Sequence, residues 1–398
     1  MAGTAVASRQ QNGAPAKKNG KEAPVLTRPF RVGVQSHEEN NYDQTLTQTA
    51  STQDYPVFEI PPQGFLRGIY LVFDAFSTNS AATAAYATGQ LDAPFNILDT
   101  VVLEDTNSKP LVGPFGGYDL YLVNKYGGYA FGHDPKQLPE YAADTGANDI
   151  NIKFILRIPV ELVNRDALGA LPNKSGTNKF RIKTRLSAIA TVFNVAPTEA
   201  MSCRLRYTPE NWWEPDAQDI KGRPLQQSPP ASQTTQYWTK GVYQVSTGDN
   251  RIQIQQGLGY LLRNAIFINR TTSDLRSSTS DGNFPDPATV QFEANVIFDR
   301  LRQLWQYRIF ALWNLNVPVA TSDVVAATGG GGRDYSVYPL PFNDDFGLQP
   351  GAEVRRGYLA TSDGSRLEFR GNFGAASNFN VLMNYVAPAR MDDAAITV

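Results

Sequence analysis

At 398 residues the chain can bury one large core or two ordinary ones, since domains usually run to about 100–200 residues. Charged residues are 19% of the total, below the roughly 25% usual for soluble domains, while 26 Pro and 32 Gly supply many turn formers. A formal net charge of −2 argues against a general polyanion binder, and the lone Cys203 excludes an intrachain disulfide or a cysteine-based metal cluster. With His37 and His133 the only histidines, a zinc site would need carboxylates, and neither metal nor cofactor is expected. No run of about 18 apolar residues is present, and the N-terminus lacks the apolar core of a signal peptide. The sequons at Asn173 and Asn269 therefore read as chance matches.

Residues 1–44 read as a flexible arm. Over residues 1–31 Arg9, Lys17, Lys18, Lys21, Arg28 and Arg31 stand against a single acid, Glu22. Two readings stay open: a solvated tail, or a basic arm that touches anionic lipid or nucleic acid. From about residue 56 a β signature dominates. "GFLRGIYLVFDAF", "FNILDTVVLED", "NIKFILRIPVEL", "KFRIKTRLSAIATVFNV" and "SCRLRYTP" are apolar or alternating runs bounded by Gly, Pro, Asn or Asp.

"GPFGGYDLYLVNKYGGYAFG" (113–132) is ambiguous taken alone. Tyr118, Leu120 and Leu122 alternate as in a strand, while Tyr118, Leu122 and Tyr126 follow helical steps of four. Residues 208–236, rich in Pro, Gln and Ser, show no strand pattern and read as a crossing between two bodies, anchored by Trp212 and Trp213. Strands resume with "YWTKGVYQV", "RIQIQQ" and "GYLLRNAIFINR". In "RLEFRGNF" the charged Arg366, Glu368 and Arg370 alternate with Leu367 and Phe369, which predicts one wet and one buried face.

The halves resemble each other. "GFLRGIYLVF" begins at Gly64 and "GYLLRNAIFI" at Gly259, and "NILDTVVLED" is matched by "ATVQFEANVIF". After the latter, Ile297, Leu301, Leu304, Trp305, Ile309 and Leu312 recur at three- and four-residue steps and predict an amphipathic helix from Ile297 to Trp313. The matching place in the first half is the glycine-rich stretch. The repeat thus favours a short helix over Gly117–Lys125, stopped by a left-handed Gly127-Gly128. Tyr118, Leu122, Tyr126, Trp212, Trp213 and Trp305 are the packing or interface candidates. Each half holds about eight strand candidates, so the expected fold is all-β: two tandem eight-stranded jelly rolls with short helical insertions. The first roll spans 45–208, the crossing 209–236, the second roll 237–390 and a tail 391–398.

Catalytic constellations are nearly absent. No G-x-S-x-G elbow occurs, and "GGGGRD" (329–334) lacks the Lys-Ser/Thr ending of a phosphate loop and reads as a hairpin tip. "DDFG" echoes a kinase triplet without its companions. Asp344 and Asp345 suit a polar turn better than paired catalysis, because neighbours in a strand point to opposite faces. His133 reads as a loop residue, and no nucleic-acid recognition motif is present. Three functions compete: a lectin-like binding module, a jelly-roll glycoside hydrolase, and a structural shell protein. The basic arm and tandem rolls favour the shell, and no enzyme activity is expected.

Several stretches together carry a family likeness. "GFLRGIYLVFDAFSTNSA", "GGYDLYLVN", "IPVELVNRDALGALPN" and the closing "FRGNFGAASNFNVLMNYVAP" resemble, in order and spacing, segments of the double jelly-roll major capsid proteins of tectiviruses and their relatives. The likeness covers roughly residues 45–390. It implies a homotrimer with six rolls that tiles an icosahedral virion shell beside neighbouring trimers, with vertex and minor capsid proteins as further partners. The basic arm would face an internal membrane, direct DNA contact being the lesser variant, and assembly would occur in the host cytoplasm. The long irregular stretches 81–94, 271–287 and 318–334 would form outward towers or contacts between capsomers.

Overall fold

The structure, a computed structural model, describes residues 34–78, 85–86, 92–129, 134–144, 149–164, 167–214, 235–254, 259–276, 281–293, 295–315, 332–343, 346, 357–361 and 366–387. The first half opens with β1 (Ser36–Glu38), β2 (Tyr42–Thr47), β3 (Gln53–Asp54), β4 (Phe58–Glu59), β5 (Phe65–Ser77) and β6 (Ala85–Tyr86). It continues with β7 (Leu98–Glu104), β8 (Pro110–Phe115), helix α1 (Gly117–Tyr126), β9 (Ala142–Asp144) and β10 (Ile150–Pro159). It closes with β11 (Leu171–Pro172), β12 (Arg181–Leu186), the single turn α2 (Ile189–Val192), β13 (Phe193–Val195) and β14 (Ser202–Trp212). The second half holds β15 (Thr235–Val245), β16 (Gly248–Ile254), β17 (Leu261–Thr271), β18 (Ala288–Phe292) and β19 (Asn295–Arg300). Helix α3 (Arg302–Trp313) follows, then β20 (Val337–Pro341), β21 (Leu359–Ala360), β22 (Leu367–Phe373) and β23 (Ser377–Ala387).

The same strand order occurs twice. In the first half β2-β14-β5-β10 form one sheet, while β3 and β4 flank β12, followed by β7 and β8, in the other. In the second half β15-β23-β17-β20 correspond to the former and β16-β22-β18-β19 to the latter. Eight strands in two facing sheets, wound identically, make each half a jelly roll. The expected fold class, two tandem rolls with a helix inserted after the fifth strand of each, is therefore what the chain adopts. Both long strands that begin the repeat leave a left-handed glycine, Gly64 (φ +51) and Gly259 (φ +75). At Gly64 a Cβ would fall 2.0 Å from the Trp212 carbonyl oxygen, so no other residue fits.

Period-two patterning supplies the cores. Along β5, Leu71, Phe73 and Ala75 point inward and are buried, whereas Val72 and Asp74 are half-buried and Phe76 is exposed on the other face. Each fully buried large apolar side chain contributes about 1.5–3 kcal/mol. The rolls are not separate beads. A parallel bridge between Val112 on β8 and Trp238 on β15 fuses one sheet of each roll into a single 10-stranded sheet.

Four local expectations change. The arm was expected to run to residue 44, but Ser36–Glu38 and the start of β2 are paired with β14, Ser36 opposite Trp212 and Tyr42 opposite Tyr207. These polar strands form because β14 would otherwise leave a row of unpaired backbone groups. For the same reason the crossing does not begin at 209: β14 runs to Trp212, held on both sides by β1 and β5. Of the remainder, 215–234 lies outside the described residues. The predicted helix from Ile297 starts late, since Asn295–Arg300 pair with β18 and the helix begins only where Asp286 Oδ1 accepts the Arg302 N–H at 2.9 Å. Finally, Glu368 is buried on the face predicted to be wet, between Arg366 (2.5 Å) and Arg251 (3.6 Å).

Candidate assembly surfaces and the junction between the rolls

Helix α1 lies where the rolls meet. It forms as the repeat predicts, one residue longer, and all ten of its residues are buried. Gly127 stays right-handed and Gly128 (φ +70) turns the chain, with a Cβ position only 2.6 Å from the Phe346 ring of the second half. Tyr118, Leu122 and Tyr126 all point into protein. Tyr118 and Tyr126 donate to the two oxygens of Asp334, each at 3.0 Å, and the Tyr126 ring meets Trp313 edge-on at 5.5 Å.

Around α1 sits a buried ionic cluster. Lys125 Nζ donates to Asp334 Oδ2 (2.7 Å), to Asp134 Oδ2 (2.8 Å) and to the Gly332 carbonyl (2.7 Å). Beside it Asp92 accepts from Arg270 (2.6 Å) and from Arg276 (2.8 Å), and Arg276 is 4.0 Å from Asp334. Burial disfavours each charge, so the partners decide the outcome. Lys125, then Arg276 and Lys136, hold the Asp334 carboxyl well below the usual carboxylate range. Asp134 and Asp334 in turn keep the Lys125 ammonium above its ordinary value despite its burial. Lys136 lies in the same cluster, over the Tyr121 ring at 5.2 Å, and there burial prevails and pushes it down to about 8. Such a cluster costs desolvation, which the pairing of charges from both halves offsets.

A second polar layer crosses the junction. Tyr129 donates to Gln236 Oε1 (2.6 Å), Trp238 Nε1 donates to the Tyr129 hydroxyl (2.6 Å), and Gln236 Nε2 donates to the Val160 carbonyl (3.0 Å). Nearby, Trp212 is buried with Nε1 donating to Glu161 (3.1 Å) and the Arg67 guanidinium 3.9 Å above its ring. Trp213 differs: it is 53% exposed, edge-on to His37 at 5.0 Å. Trp305 fills the core of the second roll, donating to the Pro339 carbonyl at 2.8 Å.

The six basic arm residues, Arg9, Lys17, Lys18, Lys21, Arg28 and Arg31, lie outside the described residues, as do His133, Asp344 and Asp345. The end of "GGGGRD" is no exposed tip, because Arg333 and Asp334 are buried, Arg333 on Asp281 at 2.7 Å. The cluster residues Asp92, Arg276 and Asp334 come from the three stretches read as towers. Sequence reasoning missed them, and the signal was there only as isolated charges at the loop ends. Asn173 and Asn269 of the two sequons are buried. Among the described residues, no group of three or more His, Cys, Asp or Glu could hold a metal ion, and no helix is long and apolar enough to cross a membrane. Two open depressions, of about 390 and 420 Å³, lie on outer sheet faces and neither is lined by a tryptophan.

No protein-family model and no curated protein matches the chain. Solved structures do. The crystal structure of the STIV MCP matches with a TM-score of 0.61 at 15% identity, over 92% of this chain and 100% of that one. The atomic structure of Sulfolobus turreted icosahedral virus gives 0.58 at 15%, over 91% and 94%. The quasi-atomic model of the PBCV-1 virus capsid gives 0.52 at 9%, over 92% and 98%. At these identities the likeness is one of fold, and the fold this chain shares with them is the double jelly roll, matched over 91–92% of this chain.

Proposed function

We propose that the chain is a major capsid protein whose homotrimers present six rolls as a pseudo-hexagonal tile of an icosahedral virion shell. The observation that carries this reading is the pair of identically wound rolls fused through one sheet and an ionic junction, in a chain that aligns with the whole of the STIV MCP. A sugar-binding or hydrolytic sandwich would instead present a tryptophan-lined groove with carboxylates, and Trp212, Trp238 and Trp305 are spent in packing. In the same proposal residues 36–212 and 235–387 are the two rolls, and neighbouring trimers, vertex proteins and minor capsid proteins are the partners. The basic residues from Arg9 to Arg31 face an internal membrane, where each Lys or Arg near anionic headgroups contributes about 1 kcal/mol. Assembly takes place in the host cytoplasm without sequence-specific nucleic-acid binding.

Sedimentation equilibrium of the full chain tests the proposal. A species of three times the 43.8 kDa chain mass that floats with anionic phospholipid vesicles is expected. A stable monomer that binds oligosaccharide would overturn it.

A further inference from the structure

Each roll has an edge strand followed by a helix, but only one such pair is covered. In the first roll β8 bridges to β15, and α1 is buried over its whole length, packed on β7, β8 and β10 of its own roll with Tyr118, Lys125 and Tyr126 reaching Asp334 of the second half. The matching pair in the second roll is β19 and α3. Among the described residues β19 pairs only with β18, and Val296 on it is 53% exposed. Helix α3 turns Trp305 and Ile309 inward, but Leu301 (59%) just before it and Leu304 (46%), Tyr307 (62%) and Phe310 (40%) on it stay exposed at steps of three. Such a ridge presents roughly 400 Å² of mostly apolar surface, the size at which patches on soluble chains mark contact sites.

The opposite end of the chain offers the counterpart. Within the chain, β15 covers β8 at Trp238, which lies opposite Asn384 on β23. In the first roll the corresponding position along β14 is occupied by β1, with Glu38 opposite Glu210. Among the described residues β1 and β2 pair only with β14, so their outer edge is the one that β15 uses in the second roll. Beside that edge stands the exposed Trp213, whose N–H is held by the Gln35 carbonyl at 2.9 Å.

We propose that β19 and the exposed ridge of α3 on one copy seat against the β1–β2 edge and Trp213 of a second copy. This repeats between chains the contact that β8 and α1 make with the second roll inside one chain. The inference rests on the reading that the chain assembles with itself, and it names the surfaces. The contact is heterologous, two different patches of the same chain, which is the kind that closes a ring. The occupant is a second copy because the chain itself carries the proven partner surface, a β15-like edge, on its other roll.

The test uses the full chain. Leu304→Asp with Tyr307→Asp removes the centre of the ridge at exposed positions, so the fold persists, and far-UV circular dichroism confirms that. Sedimentation is expected to show assembly weakened roughly a hundredfold or more. Trp213→Ala, on the other partner surface, weakens it in the same direction, and Val57→Asp, at an exposed site in the link between β3 and β4, leaves it unchanged. A double variant with Val296→Cys and His37→Cys forms covalent multimers on a non-reducing gel that neither single variant forms, Cys203 being buried. Trimers that survive the α3 double variant, with no cross-linking, overturn the inference while the capsid reading stands. A wild-type chain that is itself monomeric overturns both.

Discussion

Replacing Lys125 by methionine probes the junction most directly. The Lys125 ammonium lies 2.7 Å from Asp334 and 2.8 Å from Asp134, and all three side chains are 1% exposed. Methionine keeps most of the volume but leaves two carboxylates buried without their common cation. Removing one partner of a buried ion pair costs about 3–5 kcal/mol, a drop of roughly 4–6 °C in melting temperature for a chain of this size. The pH dependence gives the cause away. In the native chain Asp334 has a depressed folded-state pKa, so its stabilisation is complete above the unfolded value of about 3.9 and is lost as pH falls through the folded one. In the variant Asp334 loses the foremost of the cations that hold it down, so its folded-state pKa rises. The penalty is therefore full at neutral pH and shrinks as the pH falls, where that carboxyl takes up a proton at less cost. Urea unfolding at pH 7.5 and pH 5, followed by tryptophan fluorescence, measures both quantities. A loss below about 1 kcal/mol at neutral pH, or one that grows on acidification, would refute the account.

The remaining predictions concern packing and reactivity. Trp305→Ala empties a site bounded by Phe267, Phe284 and Tyr338 and is expected to cost about 3–5 kcal/mol in denaturant unfolding, whereas Trp213→Ala changes the stability of the dissociated chain by less than about 0.5 kcal/mol. Cys203 is fully buried and its thiol is pushed up to about 12, so a thiol reagent at pH 8 should label it only after denaturant is added. Rapid labelling of the native chain would mean that the sheet face carrying Cys203 opens.

The rolls were legible because their long strands announce themselves. Runs such as Phe65–Ser77 and Ser377–Ala387 are apolar, β-branched and bounded by turns, and the Gly64/Gly259 pairing revealed that the pattern occurs twice. Helix α1 was read correctly only through that repeat, since its buried tyrosines fit either period. What escaped was whatever depends on a neighbour. Ser36–Glu38 and Tyr42–Thr47 are polar, and they are strands because β14 needs an edge partner. Asn295–Arg300 continue a helical spacing, yet the β18 ladder claims them. Asp92, Arg276 and Asp334 are single charges in irregular stretches, far apart in sequence, and only the closed fold brings them beside α1.

The bridge between β8 and β15 has a mechanical corollary. A chain whose halves share a sheet and enclose a set of paired charges has no loose joint in its middle, for any bend there would break backbone hydrogen bonds and expose paired ions together. A surface tiled by such chains must then take up its curvature at the seams between copies. Shells of different radius could be closed by one unbending tile, with the variable angle confined to contacts made of side chains and loops.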